Sequence, residues 1–234
     1  MTAEAQLRAL AADKILIFDG GYGTSIQKHG LTEADYRGDL DLPKDQKGNN
    51  DLLCLTRPDI VQGIHAAYLA SGADMIETNT FSSTKIAMAD YGCEHLVWDI
   101  NIAAAKLARS ACDAATATDG KPRFVCGSIG PTNKTLSISP DVNDPAYREV
   151  DYDTLKADYR EQCEALIAGG VDFLLVETCF DTLNAKAAGM AAREAEEAAG
   201  RSVPLMLSFT ITDMSGRNLS GHTINAFWYS MRHL

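Results

Sequence analysis

The chain has 234 residues, and 46% of them are hydrophobic, which is enough for one domain with a sizeable core. Acidic residues outnumber basic ones by 32 to 21, and the net charge of -11 opposes binding to nucleic acid or to an anionic membrane surface. The sequence shows no basic and apolar targeting segment at its start. We therefore expect a cytoplasmic protein that binds neither nucleic acid nor membranes.

Five short hydrophobic runs alternate with longer amphipathic stretches, a pattern typical of parallel strands joined by crossover helices. The predicted strands are residues 14–19, 74–78, 123–127, 172–177 and 204–210. The predicted helices are residues 58–71, 94–117, 152–168, 181–199 and 221–234. Two long connections, 25–57 and 131–151, follow strand ends, where ordered loops often carry function.

Two segments share one internal pattern: AAYLASGADMIETNTF (66–81) and EALIAGGVDFLLVETCF (164–180). Each contains a helix end, a glycine, a hydrophobic strand and then Glu-Thr, so Glu77 and Glu177 both come at the carboxyl end of a strand. A repeated unit of this kind predicts an α/β fold of the (β/α)8 TIM-barrel type, whose sites lie at the carboxyl ends of the strands. An open doubly wound sheet is the alternative.

The first predicted strand ends in the glycine-rich stretch DGGYGT, residues 19–24. A P-loop requires a lysine that is missing here, and a dinucleotide fingerprint requires a glycine where Ile26 stands. Backbone N–H groups at Gly20 and Gly21, beside the Asp19 carboxylate, suit a ligand with both an anionic and a cationic group, such as the head of an amino acid. The structural alternative is a tight turn that Asp19 caps.

Glu77 and Glu177 would face the same opening of the barrel as Asp19. A carboxylate at the end of a buried strand is costly unless it is paired or functional. The two glutamates therefore bind an ammonium group, act as acid and base, or form salt bridges at the barrel rim. No lysine lies in the interior of a predicted strand, and Lys14 opens the first strand at the wrong end, which disfavours Schiff-base chemistry and a phosphate-binding lyase.

The cysteines and histidines show no spacing typical of a metal site. The six cysteines, at positions 54, 93, 112, 126, 163 and 179, contain no C-x-x-C pair, which predicts reduced and mostly buried thiols. The five histidines, at positions 29, 65, 95, 222 and 233, are predicted to be surface or helix residues.

Eight segments of the chain form an ordered set of motifs. They are DGGYGT (19–24), RGD (37–39), KGNNDLLCLTRPDIV (47–61), ADMIETNTFSST (73–84), GSIGPTNKTLSISP (127–140), DPAYR (144–148), VDFLLVETCFDTLNAKAA (171–188) and SGRNLSGHT (215–223). In this order the motifs resemble the homocysteine S-methyltransferase family. Within that family the chain is most similar to the N-terminal homocysteine-binding domain of cobalamin-dependent methionine synthases.

The resemblance implies a (β/α)8 barrel that binds homocysteine at its carboxyl-end opening. Carried over by position, Asp19 and Glu177 would hold the substrate amino group, and the backbone N–H groups of residues 20–22 would hold its carboxylate. The expected substrate-binding residues are Asp19, Gly20, Gly21, Tyr22, Glu77, Asn79 and Glu177.

The resemblance also implies a catalytic zinc, which holds the homocysteine sulfur as the thiolate that takes the methyl group. The implied methyl donor is methylcobalamin, and the expected partners are homocysteine and cobalamin- and folate-binding domains or subunits. The family's zinc ligands are a cysteine in an Asn-Cys sequence and a Cys-Cys pair before a glycine. Neither sequence occurs among the 234 residues.

These observations predict one homocysteine-binding barrel domain over residues 1–234, with about five of eight βα units and with its C-terminal part truncated before the zinc-ligand cysteines. We expect such a chain to be inactive by itself and to self-associate through unpaired strand edges. The alternative function is a non-catalytic module that binds amino acids or a protein partner.

Overall fold

Four parallel strands form the central sheet of the computed structural model, which describes residues 2–234. The strands are β1 (Met75–Glu77), β2 (Phe124–Ile129), β3 (Phe173–Cys179) and β4 (Leu205–Phe209), and they pair in the order β1-β2-β3-β4. All three pairings are parallel, as hydrophobic runs separated by helices predict. The parallel α/β sheet is confirmed for these four strands, and within the described residues it is open rather than closed.

Ten α-helices accompany the sheet in the described part of the chain. They are α1 (Ala3–Asp13), α2 (Tyr22–Gln27), α3 (Glu33–Arg37), α4 (Leu53–Thr56), α5 (Pro58–Ala70), α6 (Lys85–Met88), α7 (Val97–Asp119), α8 (Tyr152–Gly169), α9 (Thr182–Ala199) and α10 (Ile224–Met231). The helices predicted before and between the strands are confirmed as α5, α7, α8 and α9, although a 3₁₀ turn over Glu94–Leu96 precedes α7. None of the helices in residues 2–234 has the length and apolar character needed to cross a membrane.

The segment predicted as a first strand, residues 14–19, is not a strand. A single parallel bridge joins Phe18 to Met75. The Ile17 N–H donates to a carboxylate oxygen of Asp74 at 3.0 Å instead of to a strand carbonyl, so a regular ladder does not form. The segment still runs beside β1, because the Met75 N–H donates to the Ile17 carbonyl. The sheet therefore has four strands instead of five, but the end of this segment lies where a first strand would end.

The core lies on both faces of the sheet. On the outer face, Val125 and Leu174 pack with residues of α7, α8 and α9. On the inner face, the rings of Phe124 and Phe173 meet edge to face with centroids 5.8 Å apart, and Leu7 of α1 packs against this cluster. Successive residues of a strand point to opposite faces, and core residues cover both faces of the sheet. Every residue of β2 is therefore buried.

The two long connections differ in structure. The connection over residues 25–57 contains α3 and α4, whereas residues 131–151 contain neither helix nor strand. The second connection is fixed to the start of α9, because Asp181 accepts hydrogen bonds from the Ser137 backbone at 2.8 Å and from its hydroxyl at 2.6 Å. Asn184 accepts a further bond from the Leu136 N–H at 2.9 Å. These two polar residues after β3 thus anchor a loop.

Candidate functional site

A cleft of about 530 Å³ lies at the carboxyl ends of β1, β2 and β3. Its wall combines the glycine-rich loop that follows residues 14–19 with residues near the carboxyl ends of β1 and β3. Among its lining residues are Gly20, Gly21, Tyr22, Glu77, Asn79, Ser128 and Glu177. The structure thus brings six of the seven predicted substrate-binding residues to one cleft, and the seventh, Asp19, adjoins it in the chain.

Asp19 is held by groups from two different elements. Its Oδ2 accepts hydrogen bonds from the Glu77 N–H at 2.9 Å and from the Tyr22 hydroxyl at 3.1 Å. Its Oδ1 is buried and has no partner among residues 2–234. Burial raises the pKa of Asp19 to about 7. The carboxylate does not accept a bond from the glycine turn in the described chain, so the alternative of a simple turn cap is not supported.

The glycine loop leaves backbone donors available. No acceptor within residues 2–234 takes a hydrogen bond from the backbone N–H of Gly20 or Gly21. The loop is held from the side, because the Tyr68 hydroxyl donates to the Gly21 carbonyl at 3.1 Å. A Cβ atom at Gly20 would lie 3.2 Å from the same hydroxyl, so this close approach favours glycine. Two N–H groups can therefore receive an anionic group of a ligand.

Glu177 lies near the end of β3, directly before a residue with an unusual backbone conformation. The next residue, Thr178, has a φ of 53° and is the sole non-glycine residue with a positive φ in the described chain. A β-branched residue is strained in this left-handed region. The Ser128 hydroxyl donates to Glu177 Oε1 from the neighbouring strand. Burial raises the pKa of Glu177, and the bond from Ser128 opposes that effect.

Glu77 adds a third carboxylate to this region. Burial raises its pKa, and the nearby charges of Glu177 and Asp19 raise it further. No lysine or arginine of the described residues perturbs either glutamate, so the rim salt bridges considered above do not form there. Three half-buried carboxylates near one another favour a cationic ligand and oppose a phosphate.

Asn79 lines the cleft, but its side chain already has a partner. Its Nδ2 donates to the Asn50 carbonyl at 2.8 Å and so ties the loop after β1 to the loop before α4. Asp51 strengthens this tie, since its Oδ2 accepts from the Ser82 N–H at 2.6 Å and from the Ser83 hydroxyl at 2.9 Å. The cleft wall on this side is therefore held by contacts between loops, and a direct role of Asn79 in substrate binding stays a prediction.

Two polar residues of the site did not emerge from the sequence. His65, predicted to be a surface or helix residue, is a fully buried residue of α5 that contacts the Tyr22 hydroxyl. Its position one helical turn after the buried Val61 was the available signal. Ser128 follows Phe124 by four residues in β2, so its side chain lies on the same, inner face of the sheet.

The predicted reduced thiols are confirmed, because all six cysteines are free and buried. Burial raises the pKa of the Cys54 and Cys126 thiols and raises that of Cys179 to about 12. In residues 2–234 no three histidine, cysteine or acidic side chains converge as a metal site would require. The side chains present do not fit the implied zinc, and we assign no chemical step to it.

Comparison with known proteins gives one family and a set of similar structures. A family model described as homocysteine S-methyltransferase matches residues 16–234. The chain is similar to the homocysteine methyltransferase MmuM from Escherichia coli in its metallated form, with 22% identity and a TM-score of 0.74 over 97% of this chain and 74% of that chain. For the oxidized form of MmuM the values are 23% and 0.73 over 98% and 74%. At this identity the likeness concerns the fold, and it supports an incomplete barrel of the TIM type.

Proposed function

Since the chain belongs to the homocysteine S-methyltransferase family, we propose that its cleft binds the amino-acid portion of L-homocysteine, the methyl acceptor in methionine formation. One juxtaposition carries the proposal: Glu77 and Glu177 line the same cleft as Gly20 and Gly21, whose N–H groups have no acceptor in the described chain, and the charge of Asp19 acts on Glu77 from beside the cleft. Carboxylates attract an α-ammonium group, and paired N–H groups receive an α-carboxylate. The cleft thus offers acceptors for the α-ammonium group and donors for the α-carboxylate group of an amino acid.

In this proposal the described side chains bind and orient the substrate. Asp19 and Glu177 hold the ammonium group, and the Gly20, Gly21 and Tyr22 N–H groups hold the carboxylate. The hydrogen bonds from Glu77 and Ser128 fix the two binding carboxylates before the ligand enters, which reduces the cost of ordering them. These residues thereby determine the direction in which the homocysteine sulfur points.

The wider reaction is proposed from the sequence resemblance. It would need zinc, as the family resemblance implies, and methylcobalamin bound by another domain or subunit as the methyl donor. Residues 1–234 would act as the homocysteine-binding domain of a methionine-synthase-type enzyme in the cytoplasm. The described side chains lack a ligand set for zinc, so our assignment is confined to the amino-acid head.

Isothermal titration calorimetry of the 234-residue chain with L-homocysteine tests the proposal. We expect binding without added metal, and we expect Glu177→Gln to weaken it by about ten- to a hundredfold, because a bond to a charged group is lost. Glu149→Gln is the matched control, since Glu149 pairs with Lys134 outside the cleft. If the wild-type chain does not bind homocysteine with or without zinc, the proposal is wrong.

A second candidate function is a non-catalytic amino-acid-binding module. One feature of the described chain supports it: the polar groups that we assign to the site would all bind the amino-acid head, and none of them would bind the sulfur. Titration with L-homoserine and L-methionine separates the two functions. Equal affinity for all three amino acids would favour the module, whereas a preference for homocysteine would favour the methyltransferase site.

A further inference from the structure

A chain of buried polar groups runs from α5 to the carboxylate of Asp19. His65 is fully buried, and its Nδ1 contacts the Tyr22 hydroxyl, with the two rings edge to face and their centroids 5.3 Å apart. The same hydroxyl lies 3.1 Å from Asp19 Oδ2 and 3.1 Å from the Glu77 carbonyl oxygen. One phenol oxygen therefore contacts three polar atoms, although it carries a single proton.

The direction of these hydrogen bonds follows from counting protons. The Glu77 carbonyl can only accept, and Asp19 Oδ2 already accepts from the Glu77 N–H at 2.9 Å. The ionised Asp19 carboxylate has no proton to donate, so Oδ2 also can only accept. The Tyr22 proton must point toward these two acceptors, so His65 Nδ1 must donate to the Tyr22 oxygen.

The opposite tautomer of His65 is unfavourable. The Tyr22 proton would then be directed to Nδ1, and the phenol oxygen would face Asp19 Oδ2 without a proton between them. In addition, Nε2 would carry a proton that is buried without an acceptor, because Nε2 has no partner among residues 2–234. A buried N–H donor without a partner is costlier than a buried acceptor without one.

Both side chains also hold the protonation states that this arrangement needs. Burial lowers the pKa of His65 to about 4, so the imidazole is neutral near pH 7. Burial and the adjacent Asp19 raise the pKa of Tyr22 well above its usual value, so the hydroxyl keeps its proton. A neutral imidazole has one donor and one acceptor nitrogen, which makes the tautomer the deciding variable.

We propose that His65 is a positioning residue of the amino-acid site. Its Nδ1–H donates to the Tyr22 hydroxyl oxygen, so the Tyr22 proton points to Asp19 Oδ2. Asp19 Oδ1 then remains available to the ligand ammonium group. The part that concerns the ligand rests on the proposed function. The tautomer itself is a property of the ligand-free chain. His65 thus acts on the substrate through two other side chains and without touching it.

Three single variants and one double variant, His65→Leu with Tyr22→Phe, test the relay by calorimetry with L-homocysteine. His65→Leu and Tyr22→Phe each remove one bond of the relay, and we expect each to weaken binding by about tenfold, the effect of one hydrogen bond in a charged network. His65→Asn places an amide N–H near the position of Nδ1, and we expect it to recover most of the affinity that His65→Leu loses. The double variant should bind no more weakly than Tyr22→Phe alone, because the two changes interrupt the same chain.

The tautomer is measured independently by nitrogen NMR of the ligand-free chain labelled with ¹⁵N in its histidines. We expect His65 to carry its proton on Nδ1, and we expect its ring signals to change in Tyr22→Phe. A His65 proton on Nε2, or wild-type affinity in His65→Leu, would overturn the inference. If the wild-type chain does not bind homocysteine, the proposed function is wrong, but the result for the His65 tautomer remains valid.

Discussion

The Oδ2 atom of Asp19 accepts a hydrogen bond of 2.9 Å from the backbone N–H of Glu77. This bond joins the segment before the glycine loop to the end of β1, so two of the three site carboxylates have a fixed relation through the backbone. Because the donor is a backbone group, this bond does not depend on the conformation of another side chain. The carboxylate is therefore held in place in the ligand-free chain.

The first prediction concerns the charge of Asp19. We expect Asp19→Asn to weaken homocysteine binding by about ten- to a hundredfold, because the ammonium group loses an ionised acceptor. The measurement is calorimetry at about pH 8, where Asp19 with its pKa of about 7 is ionised. Asp113→Asn, on the exposed side of α7, is the control and should bind as the wild type does. Unchanged affinity in Asp19→Asn would remove Asp19 from the site.

The second prediction concerns stability and pH. Burial raises the pKa of Asp19 from 3.8 to about 7, so the folded chain binds more protons than the unfolded chain between these values. The contribution of Asp19 to the free energy of unfolding is therefore fully present below about pH 4 and is lost as the pH rises through about 7. It amounts to at most about 4 kcal/mol, since each pKa unit corresponds to about 1.4 kcal/mol.

Urea unfolding of the wild type and of Asp19→Asn at several pH values measures this contribution. Other carboxylates also titrate in this range, so the informative quantity is the difference between the two proteins. We expect Asp19→Asn to become more stable relative to the wild type as the pH rises from about 4 to about 7. A difference that does not change with pH would contradict the raised pKa.

The third prediction is proton release on binding. Burial raises the pKa of Asp19, Glu77 and Glu177, so the cleft holds protons near pH 7 that an ammonium group displaces. We expect homocysteine affinity to rise between about pH 6 and about pH 8. The calorimetric enthalpy should differ between phosphate and Tris buffers, which take up protons with different heats. Glu77→Gln should reduce this difference, and an enthalpy independent of the buffer would argue against a protonated cleft.

The fourth prediction concerns the strained residue after Glu177. Thr178→Gly removes the strain of a β-branched residue at a φ of 53°, and we expect the free energy of unfolding to rise by up to about 1 kcal/mol. We also expect weaker homocysteine binding, because a glycine backbone holds Glu177 less firmly. Thr212→Gly, in an exposed loop without a positive φ, should lower stability by about 0.5 to 1 kcal/mol and leave binding unchanged. Full affinity in Thr178→Gly would show that the strain does not serve the site.

Much of the fold follows from local sequence patterns. The runs that became β1 to β4 are predicted to within two residues at each end, because buried parallel strands are continuous hydrophobic segments. The run at residues 14–19 has the same composition but forms one bridge, since the Asp74 carboxylate takes the Ile17 N–H. A side chain distant in sequence decides that outcome, and periodicity does not report it.

The candidate site is predictable to a similar extent. Asp19, Glu77 and Glu177 are predictable as candidate site residues because each lies at the end of a predicted strand, and the carboxyl ends of parallel strands come together. His65 and Ser128 were missed because their roles depend on which atom each side chain meets across the fold. The six cysteines are the opposite case, because their scattered positions alone predict free, buried thiols, as the structure has them.

The burial of all six thiols has a practical consequence for any solution of this chain with its proposed ligand. Homocysteine carries a thiol that water reaches freely, whereas the thiols of the folded chain react only when the chain opens. A colorimetric thiol reagent therefore counts ligand during its fast phase and counts opened chains during its slow phase. A single time course then reports ligand concentration and the rate of opening in the same sample.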